Sequence, residues 1–101
     1  RDDWGKLIID TVLPAGVWSR DGLSQRDRSL ITVAALTVLY RPNELRLHLD
    51  RALSNGVSRE ELSEVIMHLA IYGGFPTSVE GMHIAKEVFD ARDQADDSDK
   101  S

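Results

Sequence analysis

PNELRLHLDRALSNGVSREEL, Pro42 to Leu62, reads as one helix, its stop and the start of the next. Proline suits the first turn of a helix, where its missing N–H would have had no partner. Leu45, Leu49, Ala52 and Leu53 then fall on one face at helical spacing. Gly56, preceded by Asn55, fits the C′ position that closes many helices in the left-handed conformation. Ser58 and Glu61 follow as S-x-x-E, a capping box that opens a new helix.

Working outward, that new helix extends to Tyr72, with Leu62, Val65, Ile66 and Leu69 as its core stripe, and GGFP ends it. A last helix is expected from Thr77 or Ser78 to Ala91 or Arg92. Upstream, Ser24 is an N-cap with Asp27 three residues on, opening a helix from Gln25 to Tyr40. Leu30, Ile31, Val33, Ala34, Ala35, Leu36, Val38 and Leu39 cover nearly its whole circumference, as in helices buried on all sides. That is much burial for so short a chain, and it implies cover from another subunit. A first helix is expected from Asp3 to Leu13, with Trp4, Leu7, Ile8 and Val12 at helical spacing and Pro14 and Gly16 as its stop. No segment alternates apolar and polar residues as a half-buried strand does. The expectation is an all-α, single compact domain of about five helices over residues 1–92, assembling into an oligomer. DQADDSDKS, 93–101, is acidic and without large apolar residues, the composition of a disordered solvated tail.

Composition closes several functional classes. The 101 residues include no cysteine, which removes disulfides, thiolate nucleophiles and sulfur-ligated zinc. The net charge of −5 opposes nucleic-acid binding, which draws on clustered Lys and Arg. NGVSREELSEVI has the outline of a helix-turn-helix, but Glu60 to Tyr72 is poor in basic residues. No apolar run approaches the ~20 residues of a membrane span. The start RDDWGK lacks the basic and apolar blocks of a secretory signal, so a cytoplasmic location is expected.

The chemistry-bearing residues lie at helix edges. With His48 at 0° and 100° per residue, Glu44 falls near −40° and Arg41 near 20°, a polar strip beside the buried stripe. A histidine at a core boundary can be shielded enough to shift its pKa while staying open to a ligand, and a nearby carboxylate favours its protonated form. The same spacing is also that of an ordinary helix-edge pair worth about 0.2–0.5 kcal/mol. Glu64 and His68 repeat it on the next helix, with Met67 and Ile71 nearby, which suggests a second covered face; His83 and Glu87 repeat it once more. His48, His68 and His83 stand on different helices without the H-E-x-x-H signature, and no metal site is expected. No G-x-S-x-G elbow supports serine chemistry.

In order, WSRDGLSQRDRSLITVAAL, RPNELRLHLDRALSNGVSREELSEVIMHLAIYGGFP and AKEVF resemble the carboxymuconolactone decarboxylase family over Trp18 to Phe89. The most specific pieces are W-x-R-x-G-L-x-x-R-x-R-S-L, E-L-x-x-H-x-x-x-A-x-x-N-G-V and Y-x-G-x-P. The resemblance implies an all-helical fold forming homo-oligomers, commonly trimers or hexamers. It also implies one of two chemistries. The alkylhydroperoxidase D branch uses a C-x-x-C pair and a relay histidine; here Arg41 and Glu44 stand at the cysteine positions and His48 at the relay position, so thiol peroxidase activity is excluded. The other branch decarboxylates a carboxylated lactone such as 4-carboxymuconolactone, in protocatechuate catabolism, without a cofactor. On that reading His48 donates the proton and Glu44 tunes it or steers the leaving carboxylate. Arg28, Arg41 or Arg20 would hold the substrate's carboxylates, and Trp18 and Tyr72 would wall the pocket. Glu64 and His68 are secondary candidates. The alternatives are a non-catalytic oligomeric scaffold of the same fold and an enzyme with another substrate.

Overall fold

The structure, a computed structural model, describes residues 16–100 and Gly5, and the side chains only to residue 98. The helix expected over Asp3–Leu13 lies outside the described residues. A 3-10 turn, Val17–Ser19, leads into four helices: α1 (Gln25–Val38), α2 (Pro42–Ser54), α3 (Arg59–Gly73) and α4 (Phe75–Lys100). Among the described residues there is no strand, and no helix is long and apolar enough to cross a membrane.

Local chemistry sets most of these boundaries. Ser24 Oγ accepts the Asp27 N–H at 3.0 Å and caps α1. Pro42 occupies the first turn of α2. Gly56, at φ 94°, ends the α2 turn in a conformation costly for other residues. The capping box of α3 is complete: Ser58 Oγ accepts the Glu61 N–H at 3.0 Å and Glu61 accepts the Ser58 N–H at 2.9 Å. Glu61 also accepts a hydrogen bond from Arg26, tying the start of α3 to α1.

The last helix differs from expectation at both ends. It begins at Phe75 rather than Thr77 or Ser78, because Gly74 (φ 96°) makes the turn and Pro76 needs no N–H partner in a first turn. It also continues beyond Arg92 to Lys100, so the segment from 93, expected as a tail, extends α4. Running out of apolar residues does not stop a helix; glycine or proline does, and neither follows Arg92. Two arginines anchor the crossing: Arg92 reaches Asp50 Oδ1 at 2.8 Å and Ser54 Oγ at 2.6 Å, and Arg59 grips Asp93 at 2.6 and 3.2 Å.

The helices close on one core. Val33 of α1, Leu45, Leu49 and Ala52 of α2, Leu62 and Ile66 of α3, and Ile84, Ala85 and Val88 of α4 are all buried, with Val57 from the α2–α3 turn. Leu49, Leu62, Ile66 and Val33 are completely shielded, each contributing about 1.5–3 kcal/mol of apolar burial. Gly81 lets α4 approach α1 and α3: an added Cβ would lie 3.1 Å from Ile66 and 3.2 Å from Thr37. Across the same seam Ser78 Oγ donates to the Ile66 carbonyl at 2.8 Å. Within this chain α1 is not shielded on all sides, since Ile31 and Val38 are exposed, as is Leu39 just past its end.

Candidate active site

α2 carries the strip anticipated from its spacing, and the 3-10 turn folds over it. Trp18 stacks on His48, with ring centroids 6.0 Å apart and planes 20° from parallel. The turn is secured from α1: Gln25 donates to the Trp18 carbonyl and Arg28 Nη2 donates to the Arg20 carbonyl at 3.0 Å. One short segment therefore covers both a half-buried imidazole and a buried guanidinium.

His48 Nδ1 and Arg28 Nε are shielded from solvent and have no hydrogen-bond partner, the two such side-chain atoms among the described residues. Buried polar atoms are nearly always satisfied, so an orphaned nitrogen marks either strain or a place where a ligand completes the set. Arg28 does not meet an acid; a backbone carbonyl holds it instead.

The imidazole titrates below its ordinary range. Burial disfavours the imidazolium most, the Arg51 charge adds to this, and Glu44 opposes both without prevailing. The carboxylate does favour the protonated ring, as its spacing implies, but burial and the Arg51 charge outweigh it. Glu44 and Arg51 are both exposed, one helical turn to either side of His48, so their opposite charges are similarly screened and burial decides the direction. Arg41 stands exposed at the N-cap of α2, and Arg20 is exposed beyond the turn.

Trp18 also lines a cleft of about 290 Å³, together with Gln25, Arg51, Ser54 and Asn55. Asn55 is fixed by its amide donating to Ser29 Oγ of α1 at 3.0 Å. Gln25, Arg51 and Asn55 were not among the sequence candidates. The i,i+3 spacing from His48 would have found Arg51, whereas Gln25 and Asn55 require knowing how the turn and α1 dock.

The secondary candidates gather elsewhere. Glu64 and His68 edge an apolar groove of about 670 Å³ between α1 and α3, with Leu30, Ile31, Val65 and Leu69 in its walls. Tyr72 lines neither cleft; its ring lies 5.2 Å from that of His68. It stands 72 % exposed beside Ile71 at 76 %, so it does not wall a pocket with Trp18 within this chain. Met67 and Ile71, expected to be covered, are exposed here as well. Glu87 pairs with Arg46 at 2.8 Å instead of serving His83. Among the described residues no three His, Cys, Asp or Glu side chains are grouped to hold a metal ion.

The chain is 51% identical over 73 residues to 4-carboxymuconolactone decarboxylase of Acinetobacter baylyi, an alignment covering 72% of this chain and 54% of that protein. It is 35% identical over 84 residues to nitrosuccinic acid decarboxylase npaB of Metarhizium robertsii, covering 83% of this chain and 59% of the relative. A 15.0 kDa protein of Paracoccus denitrificans is 32% identical over 80 residues, covering 76% and 59%. The chain thus spans a little over half the length of the curated relatives it matches. The sequence pattern of the carboxymuconolactone decarboxylase family matches residues 9–87, taking in the stacked turn, the His48 strip and most of the four-helix core, and the chain belongs to that family.

Proposed function

We propose that this chain is a decarboxylase, a carboxy-lyase acting on a small carboxylated lactone such as 4-carboxymuconolactone, in aromatic-acid (protocatechuate) catabolism. The observation that carries the reading is the 51% identity to a protein named for that reaction, over 73 residues, a stretch long enough in a chain of 101 that it must include His48. A second relative is also named as a decarboxylase, of nitrosuccinic acid. Both names describe acids with an electron-withdrawing group near the carboxylate, and this chemistry explains why no cofactor need be involved. When the C–C bond to the carboxylate breaks, CO₂ leaves and the electron pair passes into the lactone carbonyl as an enolate. A proton delivered to carbon then completes the product.

His48 is the proton donor in this reading. An imidazolium of lowered pKa is a strong acid for its kind, and the anionic substrate raises its protonated fraction on binding. Its unpaired Nδ1 supports a role that this chain's own hydrogen bonds leave open. Glu44 orients the ring or steers the departing carboxylate. Arg28, buried with one nitrogen unspent, supplies positive potential beneath the turn, and Arg20 and Arg41 draw the anion in from solvent. Glu64, His68 and Tyr72 belong to a separate face. The exposed Ile71, Tyr72, Phe75 and Leu39 there support a homo-oligomer, a trimer or hexamer.

The test is turnover of 4-carboxymuconolactone in the presence of a chelator by the wild type and by His48→Ala, with melting and mass recorded for both. Loss of turnover with an unchanged fold is the expected result. Wild-type kcat in the variant removes His48 from the chemistry, and a change confined to melting or mass favours a scaffold.

A further inference from the structure

The cleft lined by Trp18 differs electrostatically from the two larger ones. The groove between α1 and α3 carries Asp27 and Glu64, and the cleft between α2 and α4 carries Asp50 and Glu87. The Trp18 cleft has Arg51 and no acid in its lining. A further hollow, at Met67, Phe75 and His83, also lacks a carboxylate but has no arginine or lysine in its lining.

Arg51 is also uncommitted. Arg26, Arg46, Arg59 and Arg92 are each held by a carboxylate. The Arg51 guanidinium has no hydrogen bond or ion pair among the described residues. The polar groups around it are prepared for an acceptor. Ser54 Oγ accepts from Arg92 and so keeps its own proton to donate, and Asn55 is held in place through Ser29 with one amide hydrogen to spare.

Position links this cleft to the reacting ring. Arg51 lies three residues beyond His48, which places their Cβ atoms about 5–6 Å apart on one helix face. Trp18 is common to both, stacked on the imidazole and lining the cleft. The volume, about 290 Å³, lies near the lower end of the ~300–1,000 Å³ usual for small-molecule sites.

From these observations, and resting on the decarboxylase reading above, we propose that the cleft is a carboxylate subsite in which Arg51 holds the carboxylate that stays on the product. The two carboxylates of 4-carboxymuconolactone then have separate places, one leaving as CO₂ beside His48 and the other clamped one helical turn away. Arg51 is then the residue that distinguishes dicarboxylates from monocarboxylates, through a bidentate guanidinium–carboxylate pair.

Binding can be read without turnover. Succinate, a dicarboxylate, and butyrate, a monocarboxylate of equal carbon number, are titrated into the 15N-labelled wild type, Arg51→Gln and Arg51→Lys while the Gln25 and Asn55 side-chain amides are followed by NMR. Succinate is expected to shift these amides in the wild type, to bind at least about tenfold more tightly than butyrate, and to lose that margin in Arg51→Gln, with Arg51→Lys between them. The proposal is overturned if the wild type fails to bind succinate at these amides, or if Arg51→Gln binds it unchanged. In the assay with 4-carboxymuconolactone, Arg51→Gln should raise KM about tenfold or more with a smaller effect on kcat. An unchanged KM overturns the subsite and leaves the decarboxylase standing. Arg51-dependent succinate binding in a wild type that turns nothing over has the opposite meaning: the subsite stands and the reaction assigned to it falls.

Discussion

Trp18 lies nearly parallel to the ring of His48 at 6.0 Å, and the two come from segments thirty residues apart. The tryptophan acts as a roof, removing water from an imidazole whose other neighbours include the Arg51 charge. Both effects disfavour protonation, and burial is the larger.

Trp18→Ala should therefore raise the His48 pKa toward the ~6.5 of an unperturbed histidine. The shift would be incomplete, since Arg51 remains. Histidine resonances followed through a pH titration measure it directly; an unmoved His48 would show that the core beneath, and not Trp18, desolvates the ring.

The end of α1 stores a small strain. Tyr40 adopts φ 56° as the Arg41 N–H bonds back to the Leu36 carbonyl at 3.0 Å and the Tyr40 N–H to Thr37 at 3.2 Å. This is a Schellman closure, whose left-handed position glycine usually fills. Because the Tyr40 side chain is exposed, Tyr40→Gly forfeits little packing and should stabilise the isolated chain by roughly 0.5–1 kcal/mol. Denaturant unfolding of the two proteins at equal concentration checks the sign, with a lower midpoint in the variant counting against the strain.

Much of this was legible in the sequence because it is written in local chemistry. Ser24, Pro42, Gly56 and the Ser58–Glu61 box each act within four residues, and the starts of α1, α2 and α3 fall where they indicate. The end of α4 was not, since composition suggested a tail where no glycine or proline stops the helix, and the ties of Arg92 and Arg59 across helices are invisible to spacing. The candidate site divides along the same line. Glu44 and His48 share an edge because one helix carries both, whereas the Trp18 roof, the carbonyl that holds Arg28 and the Ser29–Asn55 link are long-range. The net direction of the His48 shift was open for that reason: helical spacing places the ring at a shielded edge with an acid at i−4, but does not show that burial, joined by Arg51, outweighs the acid.

Three helices meet at Gly81, where the nearest methyl carbons would stand 3.1 and 3.2 Å from an added Cβ. Both belong to β-branched side chains, Ile66 and Thr37, with little freedom to turn away. Gly81→Val adds two further methyl groups to that seam and should cost about 1–3 kcal/mol by overpacking. A melting temperature equal to the wild type's would mean that α4 shifts without penalty.

The lowered His48 pKa makes two pH dependences run in opposite directions. For stability, the unfolded chain binds a proton at about pH 6.5 while the folded chain resists until lower pH, so between these values the unfolded state carries more protons. The contribution of the neutral ring is complete above about pH 6.5 and is lost as pH falls toward the folded value. His48→Gln should flatten this part of the curve, as seen by comparing melting temperatures from about pH 8 down to the onset of carboxylate titration near pH 5. For turnover, a proton donor must carry its proton, so kcat/KM in the wild type should rise as pH falls through the same interval. A rate that instead increases with pH through this window would make His48 a base or a bystander, even if the stability curve behaves as described.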